Sequence, residues 1–207
     1  MTEFEKKLLL SKEEYEYLME CFGYKSPLMQ KPIIQQVNYY FDTSDFSMNR
    51  QNITCRIRLK DGKYKAMMKQ HSCNADYSTE TEMAIYSGLE KNAFIEMGLQ
   101  LQGKLVTERC VILKDDACEV VLDKNEYLGH IDYELEIEYM EKCEKNALSI
   151  LEMIRNMLVN KKYFLAYDEN FASVPSKSNR FFDRMRTNKV AVSETDDVSS
   201  YDDIVIH

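Results

Sequence analysis

Hydrophobic residues recur along this chain with two different periods, and the changes between them predict the order of helices and strands. Apolar positions with the helical period occur in three places. The first follows a capping box at Ser11–Glu14 and ends at Gly23, the second follows a similar box at Ser87–Glu90 and ends at Gly98, and the third runs from Lys142 to Asn160. We therefore predict three helices, each with an apolar stripe that must be buried.

Between these helices, apolar positions alternate with polar ones, which is typical of strands with one buried face. Eight segments show this pattern, and Asp61-Gly62 between two of them is a strong hairpin signal. The predicted strands are Thr2–Leu10, Gln35–Asp42, Ile53–Lys60, Lys63–Gln70, Thr79–Ile85, Leu105–Leu113, Glu119–Tyr127 and Asp132–Tyr139. Eight strands with mostly short connections favour an α+β fold, an eight-stranded antiparallel β-barrel with helices packed on the outside.

Charged residues occupy one whole face of five of these strands, because alternate side chains of a strand point to the same side. The charged sets are Glu3, Glu5 and Lys7; Arg56, Arg58 and Lys60; Lys63, Lys65 and Lys69; Glu80 and Glu82; and Glu134, Glu136 and Glu138. Each strand by itself is typical of a sheet surface whose charges face water. The three helices, however, need apolar strand faces to cover. If they cover the outside of a closed barrel, the charged faces point inward.

An interior lined by charges of both signs suits a wet cavity for a highly charged ligand, because each unpaired ion in a dry interior costs several kcal/mol. Arginine and lysine bind phosphate oxygens. Clustered glutamates repel a phosphate chain unless divalent cations lie between them. The charged strands therefore predict a cavity for a polyphosphate together with Mg²⁺ or Mn²⁺.

The run Glu3-Phe4-Glu5-Lys6-Lys7 resembles the N-terminal E-x-E-x-K strand of the CYTH proteins, also called triphosphate tunnel metalloenzymes. The resemblance covers residues 1 to 184 and is closest to the bacterial branch of the family. Its further motifs are Tyr40-Phe41-Asp42-Thr43, Arg56 with Arg58, Lys69, Glu80 with Glu82, Arg109, Asp123, Glu134 to Glu138, and Ser176-Lys177-Ser178 followed by Arg180. It implies an eight-stranded tunnel whose members act on triphosphates with a divalent metal.

The resemblance also implies a role for each matching residue. The implied phosphate-binding residues are Lys7, Arg56, Arg58, Lys69, Arg109, Lys177 and Arg180. The implied metal-binding residues are Glu3, Glu5, Asp123, Glu134, Glu136 and Glu138, with Glu80 and Glu82 as further tunnel acids. Lys7, Glu136 and Glu138 are the implied catalytic residues, and a late glutamate would orient the attacking water or accept its proton. Asp123 is equally consistent with a turn residue at the end of a strand.

We therefore predict a divalent-metal-dependent triphosphatase that hydrolyses the terminal phosphoanhydride of inorganic triphosphate or of an organic triphosphate. Three alternatives stay open. A class IV-type adenylate cyclase would place the ribose 3'-hydroxyl of ATP against the alpha phosphate, and a thiamine triphosphatase would stack aromatic side chains on the thiazolium. A non-catalytic polyphosphate-binding module is the third, although binding alone could dispense with many of the acids.

Composition and net charge indicate which classes of partner this protein binds. The apolar share of 44% and the charged share of 30% are those of a globular protein, and the net charge of −8 gives no basic face for nucleic acid. From residue 187 to the end, one lysine stands against five acidic residues, so we assign residues 1–184 to the tunnel domain and residues 185–207 to an acidic, flexible tail.

The sequence also gives expectations for the cellular location, the cysteines and the histidines. The chain has no run of 18 apolar residues, so we expect no membrane span. Six widely spaced cysteines and an N-terminus without a basic-then-apolar leader predict reduced thiols and a cytoplasmic protein. We interpret His71 and His130 as surface histidines without a role. The oligomeric state is left open.

Overall fold

The computed structural model of this chain describes residues 2–22, 32–72, 77–89, 92–161 and 174–199, with side chains as far as residue 188. The strands are β1 (Thr2–Leu10), β2 (Ile33–Asp42), β3 (Ile53–Lys60), β4 (Lys63–His71), β5 (Tyr77–Tyr86), β6 (Gln100–Lys114), β7 (Cys118–Tyr127) and β8 (His130–Tyr139). The helices are α1 (Lys12–Phe22), α2 (Ser47–Arg50), α3 (Ala93–Glu96), α4 (Glu144–Asn160) and α5 (Lys177–Ser199). None of these helices combines the length and apolar composition needed to span a lipid bilayer.

The eight strands close into a barrel in the order β1-β5-β4-β3-β2-β6-β7-β8, and every neighbouring pair is antiparallel. The barrel predicted from the sequence is therefore confirmed. Its closure is made by β1 and β8, where Lys7 lies opposite Glu136 and Glu5 lies opposite Glu138. Because the strand register is fixed by this closure, it also fixes which charged side chains become neighbours.

Apolar strand faces lie outside, beneath the helices. Leu18 of α1 and Leu151, Ile154 and Leu158 of α4 are buried in one cluster with apolar residues of β1, β6, β7 and β8. On another side of the barrel, Phe94 of α3 packs against β2, β3 and β4 residues in a second cluster. Burial of these stripes supplies the main apolar stabilisation of the fold and leaves the opposite strand faces to line the interior.

Helix α3 is shorter than the sequence pattern predicts. The capping box at Ser87 is not used, and the helix is a single turn that begins after Asn92. The Asn92 side-chain oxygen accepts hydrogen bonds from the backbone N–H groups of Phe94 (3.0 Å) and Ile95 (3.2 Å). Strand β5 extends to Tyr86, so it takes up the residues before the predicted start.

Helix α5, which the sequence pattern did not reveal, closes one end of the barrel. Phe181 and Phe182 are fully buried in a cluster with Tyr40, Leu105 and Tyr127, whose side chains share the inward strand faces. The ring centroids of Tyr40 and Phe181 lie 4.9 Å apart. These two aromatic residues are adjacent in sequence, so they produce no helical stripe in an otherwise polar segment.

The loop after β2 ties α5 to the barrel. The buried Asp42 carboxylate accepts hydrogen bonds from the backbone N–H groups of Met48 and Asn49, both at 2.9 Å. The Asn49 side chain donates to Asn179 of α5 (2.9 Å) and accepts from Arg186 (3.0 Å). Helix α5 thus continues across residue 184, and residues 200–207 lie outside the described residues. The division into a tunnel domain and a flexible tail stays a prediction.

A prediction follows from the contact between β6 and α5. A Cβ atom on Gly103 would lie 2.9 Å from Cζ of the Phe181 ring. We expect Gly103→Ala to lower the free energy of unfolding by about 1–3 kcal/mol, because the buried ring has little room to move. In the Phe181→Leu background the clash with the ring is removed, so the same change should cost less, while the backbone strain at the positive φ of residue 103 (157°) remains. Equal losses in both backgrounds, measured by urea denaturation, would contradict this packing.

Candidate active site

The barrel encloses a cavity of about 260 Å³ to which all eight strands and the start of α5 contribute side chains. Thr54 and Ser178 line it at the end closed by α5 and hydrogen-bond to each other (2.7 Å). Lys60, six residues farther along β3, and Lys114 also line the cavity and are exposed. In the described part of the chain, the cavity therefore has a closed floor and an opening at the opposite end.

Most of the side chains predicted to form the site meet in this cavity. Its lining includes Glu3, Glu5, Lys7, Arg56, Arg58, Lys69, Glu80, Arg109, Glu136, Glu138 and Lys177. Asp123 and Glu134 are completely buried behind this lining and contact the Lys177 ammonium. Two predicted residues are placed elsewhere: Arg180 does not line the cavity, and Glu82 pairs with the exposed Lys65 at 2.9 Å.

Lys177 is the centre of the buried charges at the floor. Oxygen atoms of Asp123, Glu134 and Glu136 lie within 4.8 Å of one another. The Lys177 ammonium lies 2.9 Å from Asp123 Oδ2 and 2.8 Å from Glu136 Oε2, and also contacts Glu134. Burial opposes ionisation, yet the three carboxylates outweigh it and raise the pKa of Lys177. The same cation, with Arg180, holds the pKa of Glu134 below its ordinary value against the effect of burial.

Arg109 links the carboxylates at the floor of the cavity to Glu138, which belongs to a second group of carboxylates. Its guanidinium donates two hydrogen bonds to Asp123 (2.9 and 2.7 Å), one to Glu136 (2.8 Å) and a longer one to Glu138 (3.4 Å). Such a fork suits paired carboxylate oxygens. Burial opposes its charge, but Asp123 and Glu136 raise the pKa of Arg109 well above its ordinary value. These carboxylate partners explain its inward orientation.

A second group of carboxylates, Glu3, Glu5 and Glu138, lies nearer the start of β1. Glu5 pairs with Lys7 (2.9 Å), and Glu3 pairs with Lys69 (3.0 Å). Burial and the negative charges of Glu136, Glu3 and Glu5 raise the pKa of Glu138, whereas Arg109 counteracts them. Carboxylates that repel one another in this way would gain from a divalent cation. Their carboxylate oxygens are of the donor type that Mg²⁺ and Mn²⁺ prefer.

Arg58 lacks a counter-charge of its own. Its Nε donates to Asn38 Oδ1 at 3.0 Å, and it makes no ion pair with any carboxylate among the described residues. Burial and the neighbouring cations Arg56 and Arg109 lower the pKa of Arg58 to about 10. Arg56, by contrast, pairs with Glu80 at 2.6 Å. A cation that lines a cavity beside other cations marks a position where an anionic ligand would be stabilised.

Tyr40 and His71 are among the residues of the cavity wall to which the sequence analysis gave no role in the site. The Tyr40 hydroxyl has no hydrogen-bond partner among the described residues, although the side chain is 1% exposed. Burial raises the pKa of this phenol. His71, predicted to be a surface histidine, instead lines the cavity and hydrogen-bonds through Nε2 to Thr54 Oγ1 (3.1 Å). Strand alternation already contained both signals, since Tyr40 shares a face with Asn38 and His71 shares a face with Lys69.

Comparisons with known proteins agree with this geometry. Residues 1–163 match the CYTH domain family. YjbK of Bacillus subtilis (strain 168), named as a candidate triphosphatase, is 28% identical over 150 residues, which are 66% of this chain and 76% of that protein.

Two solved structures share the fold. A Bacillus halodurans protein described as a candidate adenylate cyclase is 24% identical with a TM-score of 0.61, over 87% of this chain and 97% of the other. HpAC1 from Hippeastrum, a candidate adenylyl cyclase described as having a dominant triphosphatase activity, is 21% identical with a TM-score of 0.63. That similarity covers 87% of this chain and 95% of the other. At these identities, the likeness concerns the barrel alone.

Arg58 makes no ion pair with a carboxylate among the described residues, whereas Arg56 does, so the two arginines should respond differently to substitution. Replacing Arg58 by Ala should lower kcat/KM for a triphosphate by about 100-fold or more, because charge-assisted bonds to phosphate are lost. The melting temperature should stay the same or rise, since a repelled cation is removed. Arg56→Ala is the matched control: it should also lower activity but should destabilise the fold, because Glu80 loses its partner. Unfolding of Arg58→Ala would show instead that Arg58 has a structural ion-pair role.

The environment of His71 gives a prediction about pH. Burial, followed by the nearby charge of Lys69, lowers the pKa of His71 to about 3, so the ring is neutral in the folded protein at neutral pH. The unfolded chain binds a proton at its ordinary pKa of about 6.5, so this group destabilises the fold as the pH falls from about 6.5 towards 3. His71→Gln should lessen the loss of unfolding free energy over this range by up to about 1.4 kcal/mol per pH unit. Parallel pH profiles of the unfolding free energy for the variant and the wild type would contradict this prediction.

Proposed function

This chain belongs to the CYTH domain family, and on that basis we propose that it is a divalent-metal-dependent triphosphatase. It hydrolyses the terminal phosphoanhydride of inorganic triphosphate or of an organic triphosphate inside the barrel. The observation that carries the proposal is Arg58, which lines the cavity beside other cations without a carboxylate partner among the described residues. The triphosphatase name of the Bacillus subtilis relative agrees with this assignment.

The cationic residues of the cavity would bind the phosphate chain. They are Lys7, Arg56, Arg58, Lys69, Arg109 and Lys177. These six side chains come from four strands and α5, so they can surround a linear anion on several sides. They neutralise the negative charge that shifts toward the leaving oxygen as the terminal phosphoryl group departs. Because α5 closes the floor, an organic group on the substrate would stay near Lys60 and Lys114 at the opening.

The carboxylates supply the metal-binding and water-orienting part of the mechanism. Glu3, Glu5 and Glu138 would hold Mg²⁺ or Mn²⁺, which when bound neutralises phosphate oxygens and polarises the phosphoanhydride. Glu136 and Glu138 orient the attacking water, and Lys7 keeps Glu136 ionised from a distance of 3.5 Å. The completely buried Asp123 holds Lys177 and Arg109 in place. The small-molecule substrate is the only partner this site requires, and the cytoplasmic location stays a prediction.

Substrate choice is tested by phosphate release from inorganic triphosphate, ATP and thiamine triphosphate, each with EDTA, Mg²⁺ or Mn²⁺. We expect the highest kcat/KM with inorganic triphosphate, because many cations line the cavity and, in the described part of the chain, no lining group is assigned to a base. We expect no turnover in EDTA, because the metal is then removed. Chromatography of the ATP products tests the cyclase alternative. Cyclic AMP as the main product would overturn the hydrolase, whereas binding of triphosphate without turnover would favour a binding module.

Glu5 gives the sharpest test of metal binding. Glu5→Gln keeps the shape of the side chain and removes one negative charge beside Lys7, so it should raise the Mg²⁺ concentration needed for half-maximal activity by about tenfold or more. Glu108→Gln is the control, since Glu108 lies on the same barrel and pairs with Lys124 away from the cavity. Undiminished turnover of Glu5→Gln at low metal concentration would remove Glu5 from the metal site.

A further inference from the structure

Arg180 and Lys177 lie one helical turn apart on α5, yet only Lys177 reaches the cavity. Residues at this spacing share one face of a helix. The resemblance to the family implies that both bind phosphate. The contacts of Arg180 lead to a different role, which rests on the triphosphatase function proposed above.

Asp132 holds the Arg180 guanidinium from the wall of the barrel. Its Oδ2 atom accepts hydrogen bonds from the Tyr127 hydroxyl (2.7 Å) and from Arg180 Nε (2.9 Å). Its Oδ1 atom accepts from the Asn125 amide (2.9 Å) and from Arg180 Nη2 (3.3 Å). Asn125 is itself fixed by a hydrogen bond from Thr107 (2.8 Å). Both oxygens are thus engaged, so Asp132 is a fixed acceptor for Arg180 and is poorly placed to bind a metal.

The guanidinium of Arg180 is almost fully used by protein groups. Besides Asp132, it donates to the backbone carbonyl of Pro175 (2.7 Å) and to Glu134 Oε2 (2.7 Å). These contacts occupy four of its five N–H groups, and the side chain is 10% exposed. Arg180 therefore lacks a free pair of N–H groups for bidentate binding of a phosphate.

The other two acceptors of Arg180, the Pro175 carbonyl and Glu134, are both connected to Lys177. Pro175 lies two residues before it, so the hydrogen bond from Arg180 fixes the backbone entering α5. Glu134 accepts from Arg180 through Oε2 and contacts the Lys177 ammonium through Oε1. If Glu134 moved, the Lys177 ammonium that it contacts would therefore move with it. Small errors in the position of a charged group cost large factors in rate.

We propose that Asp132 and Arg180 are positioning residues, which act together through Glu134 and the Pro175 carbonyl to fix the Lys177 ammonium at the floor of the cavity. Arg180 does not contact the phosphate chain. Its contribution to activity is exerted through Lys177.

The proposal is tested with Asp132→Asn, Arg180→Gln and the double variant, assayed for hydrolysis of inorganic triphosphate with Mg²⁺ well below the melting temperature. We expect each single change to lower kcat/KM by about tenfold and the double change to be no worse than Arg180→Gln, because the two residues act as one unit. Asp183→Asn is the control, since it removes an exposed ion pair with Arg186 on the same helix. It should stay within about twofold of wild type.

A second comparison asks whether the effect depends on Lys177. In the Lys177→Gln background, Arg180→Gln should lower kcat/KM by less than about twofold. An equal loss in both backgrounds, or normal kinetics of Asp132→Asn, would show that Arg180 contacts the phosphate itself. A lowered melting temperature with normal kcat/KM would show a merely structural role. Either result overturns the proposal.

Two further measurements keep the test decisive. If a charged-pair variant fails to fold, Tyr127→Phe removes one hydrogen bond to Asp132 without changing charge; it should lower kcat/KM by about threefold, and normal kinetics would contradict the proposal. Calorimetric titration with inorganic triphosphate in EDTA reports binding without turnover. A wild-type chain that binds but does not hydrolyse would refute the proposed function, whereas loss of the non-additive pattern in binding would refute the positioning role.

Discussion

The Lys177 ammonium, held by three buried carboxylates, is the contact on which the floor of the site depends. Asp123, Glu134 and Glu136 come from β7 and β8, whereas Lys177 comes from α5. Arg109, Arg180 and Lys7 also pair with members of this group, but Lys177 is the cation that contacts all three carboxylates. Its removal would leave each of the three with one counter-charge fewer, at a cost of several kcal/mol. Helix α5 therefore supplies charge as well as apolar cover, and docking of the helix and ionisation of the floor stabilise each other.

The same requirement explains the arrangement of the whole barrel. A closed sheet with apolar residues on its inner face would fill its interior with side chains. Here the apolar faces are covered from outside by α1, α3 and α4, so the interior is left for charged groups and a cavity. Most cations of this cavity pair with carboxylates. Arg58 makes no such pair among the described residues, and under the proposed function the anionic substrate supplies its counter-charge.

Sequence reasoning reached the barrel because alternation reports strand faces directly. All eight strands were predicted, and the charged faces of β1, β3 and β8 that were predicted to point inward lie inside the barrel. Helix α5 was missed because Phe181 and Phe182 are adjacent and their partners lie more than fifty residues away. The carboxylate partners of Arg180 were also missed, because Asp132 and Glu134 lie more than forty residues away in the sequence. Alternation gives the direction of a side chain, while its contacts depend on the barrel's register and on docking of α5.

The closed floor also has a consequence for the order of events in a catalytic cycle. Within the described part of the chain, α5 covers the floor, and the cavity opens near Lys60 and Lys114. Under the proposed function, the incoming substrate and both departing fragments use that passage. A fragment bound at the floor beside Lys177 then leaves only after the other fragment has left the opening, so the proposed mechanism implies sequential release, and the fragment that stays longest competes with the next substrate molecule for the floor.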